Sequence, residues 1–465
     1  MRAVLLAGIA ALGLAPAIAE AQDRPDQKAF FSLYKELVET NTVVGVGSCT
    51  RAAAQITARL KAAGYADSDI TQFSVPEHPE DGGVVAILKG SDANAKPMLL
   101  LAHIDVVAAK REDWKRDPFK LVEENGFYYA RGTVDDKAMA SVWADAMIRF
   151  KQQGYHPKRT IKMALTCGEE TTYAFNGAQW LTNNRPDLVS GEFGLNEGGG
   201  GRFDANGKPE ALAVQVGEKA AQNFTFLATN PGGHSSAPTP DNAIYELDDA
   251  LRAVQGYEFP AKFTDTSRAF FAATARAAPA PVADAINRLL ADPQDKAANA
   301  IIGRDKVLHS MLRTTCVATL VNAGHAENAL PQRATANVNC RIFPGETVDG
   351  TLAKLRELAG PKVTVTANQP IRPIAVPPQL DPKIIGPMKT VAAKYFPGVP
   401  MVPMLLTGAT DAVFFGKIGM PVYGVPGILV EQDLNGVHGL DERIRVSALY
   451  RGRDYLFDLV KAYGG

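Results

Sequence analysis

The sequence lacks several features that would identify a function at once. It has only four cysteines in 465 residues, and no two of them have the CxxC spacing of a zinc ribbon or a redox site. The GxSxG motif is absent, which argues against a Ser-His-Asp hydrolase. The net charge is −1, and no basic run is interleaved with aromatic residues, so nucleic acid is not expected as a partner.

The one long apolar run lies at the N-terminus. Met1-Arg2 is followed by an Ala-, Leu- and Gly-rich run over residues 3–18 and then by Ala19-Glu20-Ala21. This order predicts an export signal peptide over residues 1–21 that is cleaved from the mature chain. The alternative is an N-terminal membrane anchor, but the run is short and rich in small residues. We therefore expect a periplasmic or secreted protein that has no membrane segment after cleavage.

The four cysteines, Cys49, Cys167, Cys316 and Cys340, lie far apart in the chain. An exported protein could oxidise them, but the sequence does not determine their pairing. We interpret them as small buried residues. Cys316 and Cys340 fall on neighbouring predicted strands, so they are the one pair that we would test for a bond.

Two patterns of predicted strands and helices divide the mature chain. In residues 22–216 and 371–465, buried strands alternate with helices, which predicts an α/β fold with a mostly parallel sheet and helices on both faces. Residues 217–370 have a different order of elements, which predicts an inserted α+β domain. Within it we expect one Ala-rich helical stretch over residues 267–298, and the chain should end in a long helix over residues 442–463.

Metal-binding side chains follow the ends of several predicted strands. The apolar run before His103 predicts a buried strand, and Asp105 lies two residues further on, where an extended chain points it the same way. Further along the chain come Asp135, Glu169-Glu170, Glu197 and His438. Sites in open α/β sheets form at the carboxyl ends of strands, so these residues are candidates for a single site.

Glu169 and Glu170 are the most informative of these residues. Two adjacent buried carboxylates repel each other unless a positive charge compensates them, and a metal ion supplies that charge. One glutamate could then bind the ion while the other accepts a proton from water. An exposed pair at a helix N-terminus is the alternative. Two histidines and three carboxylates, with no cysteine, suit two ions of Zn²⁺ or a similar borderline divalent metal that share one carboxylate.

Taken together, the motifs resemble those of the di-zinc aminoacylase and carboxypeptidase family. That family includes acetylornithine deacetylase, succinyl-diaminopimelate desuccinylase, glutamate carboxypeptidase, carnosine dipeptidases and carboxypeptidase S. The chain resembles the carboxypeptidase S and N-acyl-amino-acid hydrolase branch most. The resemblance covers nearly all of the mature chain and rests on His103-x-Asp105, Gly132-x-x-Asp135-Asp136-Lys137, Glu169-Glu170, Glu197-Gly-Gly and Val437-His438-Gly439.

The resemblance implies a role for each site residue. It assigns His103 and Glu197 to one zinc ion and Glu170 and His438 to the other. Asp135 would bridge the two ions, with a cis peptide bond to Asp136. The resemblance also implies that Asp105 orients His103 and that Glu169 is the general base. Co²⁺ or Mn²⁺ could substitute for zinc.

The inserted domain resembles the lid and dimerisation domain of the same family. The resemblance implies that His234 stabilises the oxyanion, from its own chain or from a partner in a homodimer formed through the lid. It implies that Asn328 and Arg341 hold the substrate carboxylate, a task that suits a guanidinium. Asp411 matches a family turn, but we assign it only to the start of a helix.

We therefore expect an exported di-zinc metallohydrolase that cleaves an amide or peptide bond next to a free carboxylate. Its substrate would be a dipeptide, a C-terminal residue of a peptide or an N-acyl amino acid. A deacetylase or desuccinylase of amino-acid precursors is an alternative, but the export signal argues against it. A non-catalytic periplasmic binding protein of the same fold is a second alternative, and the complete set of ligands argues against that.

Overall fold

The computed structural model describes residues 24–171, 175–373 and 379–465, and the predicted signal peptide over residues 1–21 lies outside them. The helices are α1 (Pro25–Glu39), α2 (Cys49–Ala62), α3 (Lys137–Gln152), α4 (Gly177–Asn184), α5 (Pro186–Val189), α6 (Ala243–Gly256), α7 (Asp265–Ala277), α8 (Ala280–Ala291), α9 (Lys296–Ile302), α10 (Lys306–Ser310), α11 (Val348–Ala359), α12 (Pro382–Tyr395), α13 (Ala412–Phe415) and α14 (Val446–Gly464). The strands are β1 (Ile70–Val75), β2 (His78–Leu88), β3 (Met98–His103), β4 (Val122–Glu124), β5 (Phe127–Tyr129), β6 (Ile161–Thr166), β7 (Phe193–Asn196), β8 (Gly200–Phe203), β9 (Pro209–Glu218), β10 (Ala220–Thr229), β11 (Gly233–His234), β12 (Thr315–Ala323), β13 (Ala329–Leu330), β14 (Arg333–Ile342), β15 (Val363–Ala367), β16 (Met401–Leu406), β17 (Val422–Gly424), β18 (Leu429–Val430) and β19 (Arg443–Arg445). None of the helices in these ranges combines the length and the apolar character needed to cross a membrane.

The larger sheet is parallel at its centre. Its ten strands follow the order β1-β2-β6-β3-β7-β17-β9-β8-β18, with β16 paired to β9. Strand β3 pairs in parallel with β6 and β7, and β17, from the C-terminal part of the chain, pairs in parallel with β7. Antiparallel pairs join β1 to β2, β17 to β9 and β8 to β9, whereas the edge strand β18 pairs in parallel with β8. The predicted α/β class with a mostly parallel sheet is confirmed.

Strand β3 is fully buried because it has helices on both faces. Alternate residues of a strand point to opposite faces. Leu100 and Ala102 therefore belong to the core that includes α1, α2, α3 and α14. Leu99 and Leu101 belong to a second core on the other face, which includes α4 and α13. This two-sided burial explains the uninterrupted apolar run in the sequence.

A smaller antiparallel sheet lies between β9 and β16 in the chain. Its strands follow the order β12-β14-β10-β15, and α6 and α11 pack against it. Strand β12 is at the edge and exposes Val317, Leu320 and Val321. A two-stranded ribbon of β11 and β13 and a three-stranded sheet of β19, β5 and β4 complete the strands of the described ranges. The exact domain boundaries at residues 217 and 370 stay predictions.

The helical part of the insertion differs from the prediction. The stretch expected over residues 267–298 consists of α7, α8 and part of α9, which are separated near Pro279 and Pro293. Proline cannot donate the backbone hydrogen bond that a continuous helix needs, so the helix ends there. These helices share a core with Leu405 of β16, which attaches them to the larger sheet. The last helix begins at Val446, because residues 443–445 form β19 instead.

The interpretation of the cysteines as unpaired buried residues is wrong. Cys49 and Cys167 form one disulfide, and Cys316 and Cys340 form another. The second bond joins directly opposed residues of β12 and β14. The first joins the start of α2 to the residue after β6, over a sequence separation of 118 residues. That contact depends on the packing of α2 onto the sheet, which no local sequence pattern predicts.

Candidate metal centre

The five predicted metal ligands meet at the carboxyl ends of the central strands. His103 is the last residue of β3, Glu170 lies just beyond β6, and Glu197 directly follows β7. Asp135 comes from the turn before α3, and His438 comes from the loop before β19. The parallel register of β3, β6 and β7 places three of these residues at one edge of the sheet.

Asp135 lies between the two histidines. Its Oδ1 is 3.0 Å from Nε2 of His103, and its Oδ2 is 3.1 Å from Nε2 of His438. Glu197 Oε1 is 3.6 Å from the same nitrogen of His103, and Glu170 Oε1 is 2.9 Å from that of His438. Each histidine therefore has its own glutamate and shares Asp135 with the other histidine.

The donor set fits divalent metal ions. Donor atoms of His103, Glu169 and Glu197 lie within 4.8 Å of one another, as do those of His103, Asp135 and Glu170. Burial raises the pKa of Glu169 and of Glu197, and neighbouring carboxylates raise both further. Such a concentration of partly buried carboxylates needs a compensating cation. Imidazole nitrogens with carboxylate oxygens are ligands that zinc accepts.

The two histidines differ in burial, but carboxylates raise the pKa of both. Hydrogen bonds with Asp135 and Glu170 raise the pKa of His438 to about 10, although its partial burial opposes this. For His103, burial lowers the pKa, but its contacts with Asp105 and Asp135 outweigh that effect and raise it. For Asp135, burial raises the pKa, but the hydrogen bonds with His103 and His438 outweigh this effect and hold the pKa well below its usual range. The peptide bond between Asp135 and Asp136 is cis, as the resemblance implied.

Asp105 contacts both His103 and the loop of the two glutamates. Nδ1 of His103 lies 3.1 Å from the carbonyl oxygen of Asp105 and 3.5 Å from its carboxylate. The carboxylate also accepts hydrogen bonds from the backbone amides of Glu169 and Glu170, at 3.4 and 3.0 Å. The sequence suggested only the contact with the histidine. A fully buried carboxylate with several donors is suited to hold the surrounding groups in place.

Asp411 does not cap the helix that follows it. Its carboxylate accepts hydrogen bonds from the Thr166 hydroxyl at 2.9 Å and from the Asn176 amide at 2.7 Å, and it is buried. Asn176 also donates to the carbonyl of Gly168, next to Glu169. The assignment of Asp411 to a helix start alone is therefore wrong, because its side chain supports the loop of the predicted base. The Thr410-Asp411 sequence does not predict the contacts of Asp411 with Thr166 and Asn176.

A second buried carboxylate holds the residue before Asp411. Glu218, at the end of β9, accepts hydrogen bonds from the amide and the hydroxyl of Thr410, at 2.9 and 2.8 Å. Burial raises the pKa of Glu218 to about 8. Its other carboxylate oxygen has no hydrogen-bond partner among the described residues. The sequence reasoning missed Glu218, which has no motif around it.

The three predicted substrate-binding residues fall into two places. Arg341 lies on β14, between Ala221 of β10 and Thr315 of β12. Burial lowers its pKa, and the charge of Glu169 opposes this effect. His234 and Asn328 lie together on the exposed ribbon of β11 and β13, where the Ser235 amide donates to the Asn328 carbonyl. Nδ1 of His234 accepts a hydrogen bond from the Ser236 amide at 3.1 Å.

Comparisons with known proteins agree with this geometry. A human N-fatty-acyl-amino acid synthase/hydrolase, PM20D1, is 29% identical over 402 residues, which cover 84% of this chain and 79% of the human protein. Carboxypeptidase S of Saccharomyces cerevisiae is 24% identical over 412 residues, which cover 78% of this chain and 71% of the yeast protein.

Solved structures show the same fold. An M20 family metallo-carboxypeptidase of Sulfolobus solfataricus, Sso-CP2, has a TM-score of 0.70 at 18% identity and covers 93% of this chain and 98% of its own. Human carnosine dipeptidase 1 has a TM-score of 0.65 at 17% identity and covers 93% and 95%. The model of peptidase family M20/M25/M40 matches residues 99–462. The chain therefore belongs to this family of metallopeptidases and amidohydrolases, as its motifs predicted.

Proposed function

We propose that the protein is an exported di-zinc hydrolase that cleaves the amide bond of an N-acyl amino acid or a short peptide, next to a free carboxylate. The observation that carries this proposal is the position of Asp135, which turns one oxygen to His103 and the other to His438. A carboxylate in that position suits a bridging ligand of two ions. The names of the relatives, an N-fatty-acyl-amino acid hydrolase and a carboxypeptidase, support the substrate class.

Two zinc ions would be held by His103 with Glu197 and by His438 with Glu170, with Asp135 shared. When bound, the ions would polarise the scissile carbonyl and make water more acidic. The side chain of Glu169 would accept the proton of the attacking water and pass it to the leaving amine. Glu169 directly precedes the candidate ligand Glu170, and its loop is held by the carboxylate of Asp105, which suits a base beside the metal ions.

Arg341 would bind the free carboxylate of the substrate. It is the predicted lid residue whose charge interacts with Glu169, and its guanidinium can form two parallel hydrogen bonds with a carboxylate. Leu434 and Leu440 flank His438 and are 52% and 58% exposed. Apolar side chains that remain exposed beside a metal ligand favour an apolar acyl group or residue in the substrate.

Export is supported by the two disulfides. Disulfides persist in the periplasm and outside the cell and are rare in reducing compartments. All four cysteines of the sequence are paired in this way. Together with the charged start, apolar run and Ala19-Glu20-Ala21 motif at the N-terminus, this pairing supports a periplasmic or secreted protein.

A homodimer through the lid is part of the proposal. Strand β12 is an edge strand that exposes Val317, Leu320 and Val321 by 59%, 70% and 62%. An exposed apolar edge suits pairing with the same strand of a second copy. His234 and Asn328 are exposed in the single chain, which suits a contribution to the site of the partner chain.

The test is a substrate screen with the zinc-loaded enzyme. N-acyl amino acids of increasing acyl length and a set of dipeptides are each compared with their carboxyl-amidated forms. We expect turnover of the free acids, faster with apolar acyl groups, and little turnover of the amidated forms. Equal turnover of both forms would exclude a carboxylate-directed hydrolase. Tight binding without turnover, in a protein free of metal, would instead favour the non-catalytic binding protein.

A further inference from the structure

Arg131 and Glu442 form a buried ion pair beside the candidate metal centre. Nη1 of Arg131 lies 2.8 Å from Oε2 of Glu442, and the side chains are 3% and 1% exposed. Arg131 follows β5 and Glu442 precedes β19, two strands that pair with each other. Burying two charges carries a desolvation cost that can exceed their attraction, so an ion pair in this position is weak evidence for stability. The other hydrogen bonds of Arg131 and Glu442 indicate the role of the pair.

Glu442 holds the turn that carries Asp135. Its carboxylate accepts hydrogen bonds from the backbone amides of Gly132 at 3.0 Å, Val134 at 2.8 Å and Asp135 at 3.2 Å. These amides belong to a turn just before α3, where no strand or helix pairs them. A buried amide without an acceptor is destabilising, so this carboxylate stabilises the conformation of the turn in which all three amides are paired.

Arg131 holds the loop that carries His438. Its Nη2 donates to the carbonyl of Gly439 at 2.8 Å, directly after that histidine. The side chain of His438 is 54% exposed and its ion-pair contacts are with Asp135 and Glu170, so it receives little support from packing. The position of the imidazole therefore depends on the backbone conformation of its loop. Arg131 binds Glu442 and Gly439 at once because its guanidinium is a rigid fork.

We propose that Arg131 and Glu442 are positioning residues that set the distance between Asp135 and His438, and so control metal binding at the site that these two residues form with Glu170. The pair joins the two segments, which lie about 300 residues apart in the chain. His103 and Glu197 depend on it less, because they extend from strands of the central sheet. The inference rests on the proposed metal function of these residues.

The test uses the full-length chain without metal, titrated with Co²⁺ and followed by visible absorption and calorimetry. The variants are Glu442→Gln, which keeps the shape but turns an amide toward backbone donors, and Arg131→Lys, which loses the fork. Asp145→Asn is the matched control, because Asp145 forms a buried ion pair with Arg453 between α3 and α14, at 2.8 Å. Circular dichroism identifies the variants that fold.

We expect the wild type and the control to bind about two equivalents. Glu442→Gln and Arg131→Lys should lose at least about tenfold affinity for one equivalent, with a changed absorption spectrum, as expected when the partners of metal ligands are altered. Wild-type affinity and spectrum in a folded variant would overturn the inference. If Glu442→Gln does not fold, the Co²⁺ affinity and spectrum of Arg131→Lys test the inference alone. A wild type that binds no divalent metal would instead refute the proposed function.

Discussion

The backbone amide of Glu170 donates a hydrogen bond to the carboxylate of Asp105 at 3.0 Å. One aspartate therefore supports His103 and the Glu169-Glu170 loop together. Asp105→Asn should lower both kcat and metal affinity by about 10–100-fold, because the amide NH₂ meets backbone N–H donors. Steady-state kinetics and metal analysis measure the two effects. Asp145→Asn, a buried change outside the site, should lower neither, and equal losses in both variants would show that Asp105 has only a structural role.

Glu169 should be required for turnover but not for metal binding. Glu169→Gln cannot accept a proton, so kcat should fall at least about 100-fold while metal content stays near that of the wild type. Plasma emission spectrometry and single-turnover assays measure the two quantities. Glu192→Gln serves as control, because Glu192 is exposed and paired with Arg159. Near-normal activity of Glu169→Gln would remove the proposed base from the mechanism.

The two disulfides should differ in their effects. Loss of Cys49–Cys167, which closes 118 residues, should lower the free energy of unfolding by about 5 kcal/mol, and loss of Cys316–Cys340, which closes 24, by about 3 kcal/mol. Activity should fall only in the first case, because Cys167 lies two residues before Glu169. Cys→Ala pairs are compared by urea unfolding and kinetics. A greater loss of activity in the Cys316→Ala/Cys340→Ala variant would contradict this.

Glu218 should make stability fall as pH rises. Burial raises its folded pKa from 4.5 to about 8. Between these values the unfolded chain releases a proton that the folded chain retains, so the free energy of unfolding falls by up to about 1.4 kcal/mol per pH unit. Glu218→Gln imitates the neutral acid and should lose this contribution. Urea unfolding from pH 4 to 9 measures the difference between the two proteins, and parallel curves would contradict the prediction.

Subunit mixing tests whether His234 acts across a dimer. His234→Ala and Glu169→Gln should each be nearly inactive. If His234 serves the partner chain, a mixed dimer of the two variants contains one site with an intact His234 and an intact Glu169, so mixing should restore activity. Light scattering checks that the protein is a dimer. No recovery after verified exchange of subunits would place His234 in the site of its own chain.

The sequence brought together the residues of the candidate metal centre because their positions follow from strand ends. The buried run before His103, the helix starting after Asp136 and the adjacent Glu169-Glu170 all have local signals, and the parallel sheet brings them together. His438 was a candidate by its order in the chain, but its role as a ligand came from the resemblance to known motifs, since its loop carries no pattern of its own. In the structure, Nε2 of His438 lies 3.1 Å from Asp135 and 2.9 Å from Glu170, which is consistent with that assignment.

The supporting residues could not be predicted in the same way. Glu442 lies within the predicted terminal helix and looks like an ordinary exposed acid, yet it accepts hydrogen bonds from a turn about 300 residues earlier. Cys49 and Cys167 meet only because α2 packs near the end of β6. Asp411 and Glu218 likewise bind partners that are distant in sequence. Interactions of this kind depend on tertiary packing, which a single sequence shows only for its most regular elements.

The order of the central sheet has a consequence for synthesis. Strand β17 inserts beside β7 with Tyr423 opposite Leu195, and β18 pairs with β8, so the sheet is incomplete until the ribosome has made residues 422–430. His438 and Glu442 are translated later still. A nascent or prematurely terminated chain therefore has His103, Asp135, Glu170 and Glu197 but lacks His438, the fifth candidate ligand. The complete set of candidate ligands is therefore present only after nearly the whole polypeptide has been made.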